Sequence, residues 1–197
     1  ELETSAEALT SARKKAADKL KKEIEKELEF LEMGKVKFSA DIKNKDYAPD
    51  GKDDMEFLVQ TNAGLPFSPL AKTASGGELS RIMLSIKNVL ADKDNVDTLI
   101  FDEVDTGISG SAAQKVGQKL KQVSGGRQII CVTHLAQVAA YADNHMLISK
   151  STENGKTFTS VKSLGKEGRV TELARIMGGS MTDSFRKSAE ELLELSK

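Results

Sequence analysis

Two short and almost wholly apolar stretches constrain the fold of this 197-residue chain most strongly. They are Leu99 to Phe101, within a strand predicted over 98–102, and Ile129 to Val132, within a strand predicted over 128–133. Strands that are apolar on both faces are typical of parallel sheets covered by helices. A helical pattern over 111–123 supplies the crossover that a parallel pair needs. The sequence therefore predicts an α/β fold with a mainly parallel sheet flanked by helices.

Periodicity and turn chemistry predict the other elements. Strands are expected at 36–42 and 56–60, around a proline, aspartate and glycine at 49–51 that favour a turn. A second hairpin is expected around the turn at 153–155. The further predicted elements are a loop at 64–70, helices at 76–91, 135–142, 169–177 and 183–196, and strands at 145–150 and 157–163.

Residues 1–33 contain no proline or glycine and consist mostly of helix formers. Their apolar residues recur mostly at steps of three and four, from Leu2 through Leu20 to Leu31, which places them in one narrow stripe. A single helix of this length would extend about 50 Å. So narrow a stripe predicts pairing with a partner helix, so we expect a long coiled-coil helix. The lysines of the other face are interleaved with acidic residues, which favours a solvated surface over contact with phosphates.

The composition excludes several classes of protein. No apolar run approaches the roughly 20 residues that cross a bilayer, so no membrane partner is expected. The one cysteine, Cys131, excludes an internal disulfide and fits a reducing compartment, which predicts a cytoplasmic protein. Two histidines and one cysteine leave little for a zinc site. The net charge of -1 gives no global reason to expect nucleic-acid binding.

Glycines open the predicted helix 76–91. Ser75 and Glu78 have the spacing of a capping box, which by itself describes a well-capped helix. Gly76 and Gly77 in the first turn cost up to about 1 kcal/mol each relative to alanine, which is unexpected unless something approaches the backbone closely. Bare N–H groups at a helix start, beside a serine hydroxyl, predict an anion site with phosphate as the first candidate.

Two acidic residues follow the first apolar strand. Asp102 and Glu103 come at its carboxyl end, where ligands bind in open α/β sheets. One carboxylate there can hold Mg²⁺ through water, and the next can orient or deprotonate a nucleophilic water. The alternative is a strand that enters solvent with an acidic cap. Asp105, Thr106 and Gly107 then predict a tight loop.

Thr133 and His134 end the second apolar strand. A histidine one strand away from the carboxylates can contact a terminal phosphate or its attacking water, although a lone histidine at a strand end is more often structural. The order of glycine-rich helix start, acidic strand end and strand-end histidine predicts that the three converge on one sheet edge.

This order resembles the ABC-type ATPases. The segment 75–78 resembles their signature motif, 99–103 their Walker B strand with its catalytic glutamate, Asp105 their D-loop aspartate and His134 their H-loop histidine. Longer strings are similar to those of bacterial DNA double-strand-break repair proteins related to the SMC family, and the likeness is strong over 71–197. These strings are 74–81, 101–110, 132–139, 175–179 and 189–193.

The resemblance implies an ATPase head that binds ATP and Mg²⁺ between two copies. Asp102 would then hold Mg²⁺ through water, Glu103 would polarise the attacking water, and His134 would position that water and the γ-phosphate. Asp105 would link the two active sites across the dimer. Implied partners are a second head and DNA, in a nucleoid-associated protein. The γ-phosphate would be bound in trans by Ser75, Gly76, Gly77 and Glu78.

One part of such a head is absent from the sequence. The family's P-loop has the pattern G-x-x-x-x-G-K-[ST], and the Gly-Lys-Thr at 155–157 has Lys150 where the first glycine belongs. We therefore expect 34–197 to be the C-terminal half of a split head and 1–33 to be its coiled-coil stub. The N-terminal half of the same head would supply the P-loop. The present chain alone is expected neither to bind ATP nor to hydrolyse it.

Two alternatives stay open at this point. A nucleotide-binding subunit of an ABC transporter shares these motifs, although such subunits carry the P-loop in one compact domain without a long helical arm. The other alternative is a catalytically silent head that only clamps DNA, against which Glu103 and His134 argue.

Overall fold

The computed structural model describes residues 1–72, 76–91, 93–153, 155–179 and 182–197. They form two compact units, Glu1–Val96 and Asp97–Lys197. Both units combine helices with small sheets, so the predicted α/β class is confirmed. None of the described helices is long and apolar enough to cross a membrane.

The first unit consists of a long helix, an antiparallel sheet and a second helix. The sheet has the order β1-β2-β3, and the strands predicted at 36–42 and 56–60 are parts of one longer β1–β2 hairpin. The third strand lies inside the predicted loop 64–70. The elements are α1 (Leu2–Phe30), β1 (Lys37–Ala48), β2 (Gly51–Gln60), β3 (Ser68–Pro69) and α2 (Gly76–Val89).

Apolar side chains from α1, the sheet and α2 form the core of the first unit. Ile24 and Leu28 of α1 are fully buried, as the four-residue spacing of the stripe predicts. They belong to one cluster with Phe38 of β1 and Ile82 of α2. The C-terminal half of α1 is therefore held by apolar packing within this chain. The complete cluster is Ile24, Leu28, Val36, Phe38, Val59, Ile82 and Ile86.

The N-terminal half of α1 lies along the β1–β2 hairpin. Arg13 forms an ion pair of 2.8 Å with the buried carboxylate of Asp53, which also accepts the Thr10 hydroxyl at 2.7 Å. Leu9 covers Gly51, since a Cβ added there would lie 2.9 Å from the leucine Cδ2 atom. The hairpin thus covers part of the apolar stripe that the sequence assigns to a partner helix. Pairing of α1 with another helix stays a prediction.

The second unit alternates short strands with helices. β4 and β5 form a parallel pair, and β6 and β7 form an antiparallel hairpin. Helices α4, α5 and α6 enclose an apolar cluster that includes Leu173 and Ala189. The elements are β4 (Thr98–Phe101), α3 (Gly110–Val123), β5 (Gln128–Cys131), α4 (Ala136–Ala139), β6 (His145–Glu153), β7 (Lys156–Leu164), α5 (Lys166–Gly178) and α6 (Asp183–Leu195).

Parallel pairing is less extensive than the mainly parallel sheet that the sequence predicts. Among the described strands it is confined to β4 and β5, where Leu99 pairs with Ile129 and Phe101 with Cys131. The strands β6 and β7 are antiparallel because two residues join them, and a parallel pair needs a crossover of a dozen residues or more. The same reason applies to β1 and β2.

The two apolar strands are buried on one face only within the described residues. Leu99 and Phe101 are buried, whereas Ile100 between them is 70% exposed. Ile130 and Val132 on the neighbouring segment are exposed as well. One face of the β4–β5 pair is therefore apolar and uncovered within the described residues.

Candidate functional site

The carboxyl ends of β4 and β5 bring the predicted acidic and histidine residues together. The parallel register pairs Phe101 with Cys131, and the N–H of Val132 donates to the carbonyl of Phe101 at 3.0 Å. Asp102 therefore leaves its strand beside the point where Thr133 leaves the other. Neighbouring strands in a sheet are about 4.8 Å apart, so side chains that follow these ends can act on one bound group.

Asp102 and Glu103 are both exposed, and the backbone between them is tightly turned. The N–H of Glu103 donates to Oδ1 of Asp102 at 2.9 Å. Glu103 has a φ of 58°, in the left-handed region that costs a residue with a side chain about 1–2 kcal/mol. Val104, which is fully buried, follows at once and anchors the turn. Strain of this kind is found where a loop must aim a functional side chain.

Asp105 is the buried centre of this edge, with a side chain that is 2% exposed. Its Oδ2 atom accepts the hydroxyl of Thr133 and, at 2.9 Å, the backbone N–H of His134. The Nδ1 atom of His134 lies 3.3 Å from the same oxygen. One carboxylate oxygen thus joins the loop after β4 to the loop after β5.

The backbone N–H of His134 is hydrogen-bonded to Asp105, and one edge of the His134 ring faces the same carboxylate. Its side chain is 69% exposed, so the rest of the imidazole is open to a ligand. Thr133 orders the following turn, because its Oγ1 accepts the N–H of Leu135 at 3.1 Å. The sequence singled out Thr133 together with His134 but gave the hydroxyl no role. Its position at a strand end directly before a histidine is the signal that points to it.

Cys131 ends β5 next to this site but does not supply a reactive thiolate. Burial, and to a lesser extent the nearby carboxylates of Asp105 and Asp102, together raise the pKa of its thiol to about 12. A thiol with so high a pKa stays protonated at neutral pH. We therefore assign it no chemical role.

The glycine-rich segment lies in the first unit, and α2 begins at Gly76 as predicted. Gly76 is exposed, Gly77 is buried and Glu78 is partly buried. Ser75 lies outside the described residues, and so does the predicted capping contact. The edge formed by Asp102, Glu103, Asp105 and His134 belongs to the second unit.

The Gly-Lys-Thr at 155–157 lies in the β6–β7 hairpin, where Gly155 has a φ of 75° and Glu153 pairs with Lys156. A P-loop joins a strand to a helix. This segment joins two antiparallel strands, which confirms that it is not a P-loop.

Curated relatives match the chain along its whole length. A protein of Halalkalibacterium halodurans named "DNA repair protein RecN" is 43% identical over 202 residues, which cover 100% of this chain and 36% of that protein. The RecN proteins of Bacillus subtilis and Vibrio cholerae are 42% and 43% identical and are covered to 35% and 34%. This chain is RecN-like from end to end. It spans about a third of the length of these relatives and corresponds to their C-terminal part.

The fold is similar to that of solved SMC head structures. An Smc head domain with a coiled coil and joint from Pyrococcus yayanosii superposes with a TM-score of 0.60 at 20% identity, covering 84% of this chain and 30% of that one. A second structure, from work on ATP-driven dimerization and DNA-stimulated activation of SMC ATPases, has a TM-score of 0.52 at 18% identity. The match covers 87% of this chain and 99% of that one. No family model matches the chain.

Proposed function

We propose that this RecN-like chain is the C-terminal half of an ATP-hydrolysing head that acts in DNA double-strand-break repair. The observation that carries the proposal is the shared edge of β4 and β5, where Asp102 and Glu103 lie beside a histidine loop tied down by Asp105. A pair of carboxylates and a histidine at the carboxyl ends of parallel strands suits activation of water next to a phosphate.

Each residue of this edge has a distinct role in the proposal. Asp102 would hold Mg²⁺ through water, and Glu103, aimed by its strained backbone, would polarise the attacking water. His134 would position that water and the γ-phosphate through the open part of its ring. A second head would supply, in trans, the signature residues Ser75, Gly76, Gly77 and Glu78 as a phosphate-binding helix start.

The donor set suits Mg²⁺ bound together with a nucleotide. No group of three or more His, Cys, Asp or Glu side chains able to hold a metal occurs within the described ranges. Mg²⁺ keeps several waters and is typically bound by one or two carboxylates plus substrate phosphates. The single carboxylate of Asp102 fits that mode, with the metal neutralising charge on the phosphates.

The N-terminal half of the head is the proposed partner of the apolar face of β4 and β5. Ile100, Ile130 and Val132 present an uncovered apolar face, and a parallel pair is normally covered on both sides. Docking of a P-loop half on this face would bury them and complete the nucleotide site. For this reason we expect the present chain alone neither to bind nor to hydrolyse ATP.

DNA is the proposed substrate of the assembled protein, which would be cytoplasmic and associated with the nucleoid. The names of the curated relatives support this.

The proposal is tested by neutralising the two acidic residues separately in the full-length protein. Glu103→Gln keeps the metal environment but removes the charge that polarises water, so hydrolysis should fall by roughly 10²–10⁴-fold while ATP-bound dimers accumulate. Asp102→Asn should instead weaken Mg²⁺-dependent nucleotide binding and trap no dimer. Steady-state turnover and light scattering with ATP and Mg²⁺ measure both effects. Normal hydrolysis by Glu103→Gln, or trapped dimers with Asp102→Asn, would show that these roles are wrong.

A further inference from the structure

One oxygen atom of Asp105 gathers three groups from the loop that carries His134. The Thr133 hydroxyl and the His134 N–H donate to Oδ2, and the His134 ring approaches it with Nδ1 at 3.3 Å. These residues are 28 and 29 positions away along the chain, so the tertiary fold creates the contact. The role that the resemblance gives to Asp105, a link between two heads, makes no use of this geometry.

The chemistry of the two side chains limits how the ring can be protonated. A carboxylate only accepts hydrogen bonds, and a neutral imidazole has one nitrogen that donates and one that accepts. Electrostatics favour the proton of a neutral His134 ring on Nδ1, because a bare Nδ1 only 3.3 Å from the carboxylate oxygen would bring two lone pairs together. Nε2 is then left to accept a hydrogen bond from water or, in the charged ring, to donate one to a phosphate.

We infer that Asp105 is a positioning residue that fixes the tautomer and the orientation of His134, with half-buried Thr133 as its support. A side chain that is 2% exposed has no surface to offer a second head in this conformation. Asp105 therefore acts on hydrolysis through His134. The inference rests on the proposed function only for the identity of the ligand that Nε2 meets.

The tautomer is measured directly on the 197-residue chain by ¹⁵N NMR after labelling with ¹⁵N-histidine. The chain has two histidines, so His145 serves as an internal reporter of folding. With the ring kept neutral by alkaline pH, as followed in the same spectra, His134 should show a pyrrole-type Nδ1 and a pyridine-type Nε2. An unconstrained imidazole in water favours the opposite tautomer, so the expected result is distinctive.

Variants connect the tautomer to its cause. Asp105→Ala should shift His134 toward the tautomer of free histidine while the His145 signals stay in place. Leu173→Ala, which removes apolar volume from the α5–α6 core, is the matched destabilised control and should leave the His134 tautomer unchanged. An Nε2–H tautomer in the wild-type chain, or an unchanged tautomer in folded Asp105→Ala, would overturn the inference. The wild-type spectrum alone decides if that variant does not fold.

Kinetics of the full-length protein separate positioning from a link between heads. Thr133→Val should lower kcat for ATP by about 10- to 100-fold, the usual loss when a functional histidine loses its outer support, with KM and ATP-driven dimerisation nearly unchanged. Thr133→Ser should restore turnover. Lost dimerisation at normal turnover per dimer would contradict the positioning role. The two proposals can fail separately. If His134 is protonated on Nδ1 but His134→Ala hydrolyses ATP normally, the proposed role of His134 in hydrolysis is wrong and the positioning inference stands.

Discussion

At the scale of single residues, the backbone of Glu103 shows how the site is aimed. A glutamate with a φ of 58° is held in a conformation that favours glycine, and buried Val104 next to it keeps the turn in place. The strain places a carboxylate in solvent beside the His134 loop. Such a position trades stability for the placement of a functional group.

Glu103→Gly should therefore stabilise the second unit by up to about 1 kcal/mol while abolishing ATP hydrolysis in the full-length protein. Glu32→Gly is the matched control, because Glu32 has a φ of 61° in the first unit, away from the strand ends. It should give a similar gain with no loss of turnover. Thermal unfolding of the chain measures both gains. Destabilisation by Glu103→Gly together with stabilisation by Glu32→Gly would contradict strain at the site.

At the scale of elements, α1 and the β1–β2 hairpin form one supporting structure. The hairpin turn comes close to α1 at Gly51, and Arg13 also donates to the carbonyl of Asp50 at 2.7 Å. At the N-terminal end of α1, Lys52 forms an ion pair of 2.7 Å with Glu3. The direction of α1 within the first unit is therefore fixed by contacts along the hairpin as well as by the core at its other end.

Gly51→Ala and Gly64→Ala form a matched pair that measures this contact. Both glycines have a positive φ, 100° and 88°, so both substitutions incur backbone strain. A Cβ at Gly51 would meet Leu9 at 2.9 Å, whereas a Cβ at Gly64 meets nothing within 4 Å. Gly51→Ala should thus cost about 0.5–1.5 kcal/mol more in urea unfolding, because the Leu9 side chain must leave its rotamer, and Leu9→Ala should recover much of the difference. Equal costs would mean that Leu9 does not cover the turn.

The Asp53 ion pair should make the first unit sensitive to acid. Hydrogen bonds from Arg13 and then from Thr10 hold the pKa of Asp53 below its ordinary value of 3.8. Its contribution to stability is therefore complete above pH 3.8 and is lost as the pH falls through the lower, folded-state pKa. Asp53→Asn should lower the Tm at pH 7 and should flatten the decline of Tm that occurs below pH 3.8. A residual slope is expected, because Lys45 also lowers the pKa of Asp50. An unchanged slope would contradict the assignment.

At the scale of the whole molecule, the uncovered face of β4 and β5 is where our proposal docks the P-loop half of the head. Leu99 and Phe101 are packed within their own unit, whereas Ile100 between them is exposed. The chain spans about a third of the length of its RecN relatives, so a protein of their length has room for the proposed covering half.

Ile100→Glu should block assembly with the P-loop half without unfolding the present chain, because the side chain is already 70% exposed. Leu195→Glu, at a position 71% exposed at the end of α6, is the matched control and should leave assembly intact. Co-purification of the two halves, expressed as separate chains, measures assembly, and circular dichroism measures folding. Normal assembly of Ile100→Glu would show that the P-loop half docks elsewhere.

Local patterns in the sequence determined the parallel strand pair and the residues at its edge. The apolar runs around Ile100 and Ile130, with a helix between them, specified a parallel pair, and the residues after them specified which side chains meet at its edge. Tertiary structure decided what local patterns leave open. It laid the β1–β2 hairpin on the apolar stripe of α1 and buried Asp105 against Thr133 and His134. Periodicity shows that a side chain faces inward or outward, but the partner it meets depends on packing between segments far apart in the chain.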